Sequence, residues 1–192
     1  MIESNIDFIF DEKYKVFKFD DTKIFKKFNN GIKNGKGVDF IAHSEDKAIL
    51  LEVKNCKGYE SENRWRTSLK SKLNSDGTID DCFDVEVAKK VSCTISCLTG
   101  AGTFDKYNCD DEYDQFSQVI SELIDNNHKI EVIFFLEGDF GSKTRSKKMI
   151  MDIIQARLKK HFKGWLNLSN CRVIDSDISN NDVQANLISN DT

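Results

Sequence analysis

Three charged residues stand where a strand's apolar pattern ends. In Ile49-Leu50-Leu51-Glu52-Val53-Lys54 successive side chains alternate faces, so Ile49, Leu51 and Val53 share one side and Leu50, Glu52 and Lys54 the other. A strand apolar on both faces reads as central in its sheet. A carboxylate and an ammonium at its end each cost several kcal/mol to desolvate unless they are paired or bind something. Just upstream, Val38-Asp39-Phe40-Ile41-Ala42 reads as the partner strand of a hairpin, with a polar turn between them. With Ser44 to Lys47 in the turn, His43 faces Ala48, Ile41 faces Leu50 and Asp39 faces Glu52. The two carboxylates then share a face, about 5 Å apart at Cβ. A slip of one residue would send Asp39 to the opposite face.

Two carboxylates converging beside a lysine suit a hard divalent cation, Mg²⁺ with Mn²⁺ as a substitute. Such an ion takes one or two carboxylates, a backbone carbonyl such as that of Val53, and waters. A cation there would polarise a scissile phosphate, while Lys54 positions the attacking water or stabilises the developing charge. That is phosphodiester hydrolysis. Glu-x-Lys alone carries little weight, because Glu45-Asp46-Lys47 repeats it in the turn, where it is solvated surface. The bland alternative is a Glu52–Lys54 salt bridge at a strand end, with Asp39 a turn residue.

Gly37-Val38-Asp39-Phe40, twelve intervening residues after Asp39, and Ile49-Leu50-Leu51-Glu52-Val53-Lys54-Asn55 together resemble the PD-(D/E)XK nuclease superfamily, the restriction-endonuclease-like fold. The motif covers residues 37–55, and the order of helices and strands extends the similarity to roughly 14–136, as an αβββαβ core. The resemblance implies that Asp39, Glu52 and Lys54 are catalytic, that Asp39, Glu52 and the Val53 carbonyl hold the metal, and that the enzyme is a Mg²⁺-dependent nuclease. Val38 stands where many members have proline. The first helix has no glutamate to serve as a further metal ligand, a place Asp20 or Asp21 could fill.

Net charge is −4, from 28 basic and 32 acidic residues, which argues against a protein that coats itself in nucleic acid. The charge is segregated. Between Lys143 and Lys163 eight Lys or Arg face only Asp152, and Ile150, Ile153, Ile154, Leu158 and Phe162 form a core-facing stripe on the same segment. Lys143, Arg145, Lys147 and Lys148, at the start of that helix, are candidate phosphate contacts. The loop after the motif adds Lys57, Arg64, Trp65 and Arg66, with Trp65 able to stack on a base or to pack as a lid. The expected partner is nucleic acid, DNA ahead of RNA. A lone active site cuts one strand, so duplex cleavage would call for a homodimer or a larger complex, such as one in restriction, defence or repair. A non-catalytic nucleic-acid-binding or assembly subunit of the same fold is the alternative.

Other patterns carry less. Gly138-Asp139-Phe140-Gly141-Ser142-Lys143-Thr144 follows a strand and precedes a helix, but its spacing is not that of a nucleotide-binding loop. Cys93 and Cys97 lie four apart on a helix with no further ligands in sight, and no Cys-x-x-Cys occurs among the six cysteines, so reduced, packed thiols are expected. Gly100-Ala101-Gly102 reads as a helix stop.

The elements that must position the site follow from periodicity. Strands are expected at 5–10 and 14–19, then a short helix capped by Asp20 or Asp21 and carrying Ile24, Phe25 and Phe28. The hairpin comes next, then a long excursion over 57–80 without clear period. Helices are expected at about 84–98, with Val87, Val91 and Ile95 on one face, and at 111–126. A buried strand at 129–136, a basic helix at about 144–163, a strand near 171–174 and a polar, frayed tail at about 176–192 complete the chain. With 39% hydrophobic and 31% charged residues, fourteen Phe and no proline, this is one globular α/β or α+β domain over 1–192. No apolar run is long enough to span a membrane and the N-terminus has no leader pattern, so a cytoplasmic protein is expected.

Overall fold

The computed structural model describes residues 1–32, 35–103, 116–121, 129–178 and 180–188. In chain order the elements are β1 (Ile2–Glu3), β2 (Ile6–Phe10), β3 (Lys15–Lys18), α1 (Lys23–Gly31), β4 (Phe40–His43), β5 (Lys47–Asn55), α2 (Glu60–Asn63), β6 (Lys72–Leu73), β7 (Ile79–Asp80), α3 (Phe83–Ala101), β8 (Lys129–Glu137), α4 (Lys147–Phe162), β9 (Asn170–Ile174) and β10 (Val183–Leu187). Residues 116–121 are also helical. The rest of the helix expected over 111–126 lies outside the described residues.

The centre is a five-stranded mixed sheet in the order β3-β4-β5-β8-β9, antiparallel as far as β5 and parallel beyond it. Alternation along β5 and β8 splits the core in two. Leu50, Val132, Phe134 and Leu136 face the helices, where Phe25 of α1, Val87, Val91 and Leu98 of α3, and Ile154 and Leu158 of α4 complete one cluster. Ile49, Leu51, Val53, Ile133 and Phe135 face the opposite way, against Ile6 and Phe8 of β2 and Val183 of β10. The small sheet β1-β2-β10 covers that second face. The result is an α+β protein in three layers, with β5 buried on both sides as its apolar run requires.

The hairpin register is the one the apolar pattern favours: Phe40 pairs with Leu51, Ile41 with Leu50, Ala42 with Ile49 and His43 with Ala48. The chain reaches that register through Gly37, where a Cβ would lie 2.7 Å from two ring carbons of Phe19. Only a residue without a side chain lets the backbone pass the Phe19–Phe25 pair and deliver Val38 and Asp39 to the start of β4.

Several expectations need correction. Thr22, rather than Asp20 or Asp21, caps α1, its hydroxyl accepting from the Phe25 amide at 3.2 Å, while Asp20 and Asp21 lie in a preceding 3₁₀ turn. The excursion 57–80 contains α2, a 3₁₀ turn at Arg64–Thr67 and the β6–β7 hairpin. The C-terminal segment does not simply fray: β10 pairs with β2 over Val183 to Leu187. Lys147 begins α4, after Ser146 has capped it by accepting from the Met149 amide at 3.2 Å. Among the described residues no helix is long and apolar enough to cross a membrane.

Candidate functional site

Asp39, just before β4, and Glu52, near the C-terminal end of β5, lie beside each other at the helix-covered face of the sheet. One Asp39 oxygen, Oδ2, accepts the amide of Val53 at 2.7 Å. Within a strand a residue's carbonyl projects to the same side as its own amide. The carbonyl of Val53 is therefore aimed at the edge that Asp39 occupies. Glu52 is fully buried. Its Oε1 takes two ammonium groups, Lys90 at 2.6 Å and Lys54 at 3.0 Å. Its Oε2 has no partner among the described residues.

α3 contributes what the strand motif alone did not reveal. Lys90 Nζ, besides its bond to Glu52, lies 3.7 Å from Asp39 Oδ1, so one ammonium stands between the two carboxylates. Glu86, one turn earlier, holds Lys54 at 3.3 Å through Oε1 and pairs with Arg66 through Oε2. One turn later the Thr94 hydroxyl accepts the Val38 amide at 3.0 Å, fastening the approach to Asp39. A sequence signal existed. Val87, Lys90, Val91, Thr94 and Leu98 form the buried stripe of α3, and a lysine in such a stripe must meet a buried acid.

The electrostatics are uneven. Burial, and then the neighbouring Asp39 charge, push the Glu52 carboxyl up to about 7 against the pull of Lys90 and Lys54. Asp20 is also held above the ordinary carboxylate range, by burial and by Asp39. Its Oδ1 is likewise buried without a partner among the described residues. Asp20 therefore stands within electrostatic reach of Asp39. Among the described residues no three acidic, His or Cys side chains by themselves form a metal cage. Asp39, Glu52 and the Val53 carbonyl could offer an ion one or two carboxylates and a carbonyl, donors that would suit Mg²⁺ with its retained waters better than zinc.

A cavity of about 990 Å³ opens beside this cluster, with Glu86 and Lys90 on its wall together with Trp65, Arg66, Lys36 and Lys89. The eight expected nucleic-acid contacts divide. Lys143, Arg145 and Lys148 are exposed and make no side-chain ion pair among the described residues. Trp65 is half-buried on the cavity wall. Arg64 ties its loop to the one before α4 by donating to the carbonyls of Phe140 and Gly141 at 3.2 and 2.9 Å. Lys57 is exposed but lines a different cavity, beside Asn5 and Asn55. Two of the eight are committed inward: Arg66 pairs with Glu86 and lies 4.4 Å over the Phe83 ring, and Lys147 pairs with the buried Asp175 at 2.5 Å.

Cys56, Cys82, Cys93, Cys97 and Cys171 are free thiols, all but Cys93 buried, in line with packed cysteines. Cys109 lies outside the described residues.

Residues 22–188 match the model of one protein family, described as a family of unknown function (DUF6661). No curated protein and no solved structure matches the chain.

Proposed function

The chain belongs to that family, and we propose from the geometry of its own site that it is a metal-dependent phosphodiesterase acting on nucleic acid, DNA ahead of RNA, with a restriction-endonuclease-like core. One observation carries the reading. Glu52, fully buried beside Asp39, has an oxygen with no partner among the described residues, and Lys90, bonded to its other oxygen, lines a cavity of about 990 Å³. A buried carboxylate oxygen left bare costs free energy that a bound cation would recover.

Asp39, Glu52 and the Val53 carbonyl would hold the ion, with Asp20 as a further acceptor, and the ion would supply Lewis-acid polarisation of the scissile phosphodiester. Lys54, steadied between Glu52 and Glu86, presents a fixed ammonium to the attacking water and to the charge that develops on phosphorus. Trp65 offers a flat face for a base along the cavity wall. Lys143, Arg145 and Lys148 offer phosphate contacts. In its order of elements the sheet differs from αβββαβ in that α1 follows the first strand. The three antiparallel strands followed by a parallel one keep the arrangement in which Asp39 and Glu52-Val53-Lys54 meet.

The test is incubation of wild type, Lys54→Ala and Glu52→Gln with supercoiled plasmid, linear duplex, single-stranded DNA and RNA, in Mg²⁺, Mn²⁺ or EDTA. Circular dichroism checks the fold of each variant. Cleavage that requires metal and vanishes in both variants is the expected result. Cleavage that persists in Lys54→Ala or in EDTA rejects the reading.

A second reading has its own observation. The Lys90 ammonium already compensates the two carboxylates, as it would in a non-catalytic nucleic-acid-binding or assembly subunit. On that reading Mn²⁺ does not bind, and Glu52→Gln leaves nucleic-acid or partner binding intact.

A further inference from the structure

Lys90 is a buried lysine whose reach exceeds its surroundings. Its ammonium is shared between Glu52 Oε1 and Asp39 Oδ1, its side chain is about nine-tenths buried, and the residue lines the adjoining cavity. Two features make this pairing unusual. Glu52 Oε1 carries two ammonium groups while Oε2 carries none, so Lys54 and Lys90 repel each other across one oxygen. Lys54 has a second acid in Glu86, whereas the two acids that Lys90 holds are the two expected to hold a metal. A lysine is a compact charge on four flexible carbons, able to change partner without movement of the helix that bears it.

We infer that Lys90 is an internal counter-ion that holds the cation position between Asp39 and Glu52 in the metal-free protein, and that a divalent ion displaces it into the adjoining cavity. This rests on the metal-binding reading above and adds to it a competition built into the chain. In the metal-free state Lys90 keeps the two carboxylates from repelling each other and keeps the site folded. In the metal-bound state its ammonium, turned toward the cavity, faces the space where a phosphodiester would lie. Metal and Lys90 exclude each other from one place, so metal affinity measures the strength of the lysine's hold.

Lys90→Met keeps the stem and removes the charge. Lys89→Met, an exposed neighbour paired with Asp81, controls for the change in net charge. Mn²⁺ titration by calorimetry should show Lys90→Met binding at least tenfold more tightly than wild type, with Lys89→Met within twofold of wild type. In parallel, wild-type lysines are modified with an amine-reactive reagent and counted by mass spectrometry, which does not depend on any variant folding. Lys90 should react far more slowly than Lys89 without metal, and about tenfold faster when Mn²⁺ is added. Mn²⁺ binding of equal strength in wild type and Lys90→Met, or Lys90 protection unchanged while calorimetry records binding, overturns the inference and leaves the metal site standing. No Mn²⁺ binding by wild type or Lys90→Met rejects the metal reading itself, and the inference with it.

Discussion

The two ends of β5 bury the same kinds of residue and treat them oppositely. At the start of the strand, Lys47 lies 2.5 Å from Glu131 Oε2 and 2.5 Å from Asp182 Oδ2. Arg172 pairs with Glu131, whose Oε1 also accepts from Asn170 at 3.2 Å, and the Tyr14 hydroxyl donates to Asp182 at 2.6 Å. Lys47 meets Glu131 Oε2 as a close ion pair rather than a well-directed hydrogen bond, since that oxygen has no directed donor. Each carboxylate oxygen there nonetheless has a cation or a donor beside it. At the far end, Glu52 has two cations on one oxygen and nothing on the other. Burial opposes both charges. At Asp182 hydrogen bonds from Lys47 and Tyr14 outweigh it and hold the carboxyl down to about 2, whereas at Glu52 burial wins and pushes the carboxyl up to about 7. A completed network holds layers together, and on the proposed function the incomplete one is the place left for the ion.

The sharpest way to break that contrast is to remove one central cation from the completed end. Lys47→Met leaves the Oε2 oxygen of Glu131, almost wholly buried, without its cation, and Asp182 without one of its own. Breaking a buried pair in this way costs about 3–5 kcal/mol. Urea unfolding should show a midpoint lowered accordingly, and a loss under about 1 kcal/mol would mean that water reaches this network. Next in size is Glu52→Gln, which removes a charge that burial disfavours. Its folding stability should stay within about 1 kcal/mol of wild type, while metal-dependent cleavage falls at least about 100-fold, a loss of about 2.7 kcal/mol in transition-state stabilisation. Unfolding of Glu52→Gln as severe as that of Lys47→Met would erase the distinction between the two ends.

What could be read from the chain before its structure follows the same division. The hairpin register was legible only in part: β5 is apolar on both faces, so the pattern favours the observed pairing weakly, and the polar turn between the strands supplies the rest. Lys90 was not legible, because helical periodicity says that a side chain points inward and not which acid on a distant strand it will meet. The C-terminal segment misled for a related reason. Its polar composition hides Asn180 and Asp182, which are buried because β10 completes a small sheet with the N-terminal β2. A layer assembled from both termini leaves no local signature in either. Arg66 and Lys147 looked like phosphate contacts because charge runs read as surface, yet each has a buried or half-buried acid within reach.

The completed end also predicts an acid dependence with a definite sign. Asp182 has an ordinary value of 3.8 and is held down to about 2 in the folded protein. A depressed carboxyl adds stability that is present above pH 4 and is lost as pH falls through about 2. The difference amounts to about 2 kcal/mol. Comparing wild type with Asp182→Asn by denaturant unfolding from pH 6 down to pH 2 should show the gap between them closing over that window. A gap that stays constant would assign the role of Asp182 to its shape rather than its charge.

The smallest effect concerns the surface that would meet the substrate's backbone. Lys143, Arg145 and Lys148 make no ion pair among the described residues, so substituting them removes neither a buried partner nor a packed side chain. Folding stability should therefore move by no more than about 0.5 kcal/mol. Each cation that touches a phosphate releases condensed counterions on binding, so Arg145→Ala and Lys148→Ala should each lower the slope of log affinity against log salt by about one for duplex DNA. Lys147→Ala provides the contrast, since its ammonium is held by Asp175. That substitution should cost stability and leave the salt slope unchanged. If Lys147→Ala altered the slope and Arg145→Ala did not, the phosphate-facing side of α4 would have to be reassigned to the residues that now pair inward.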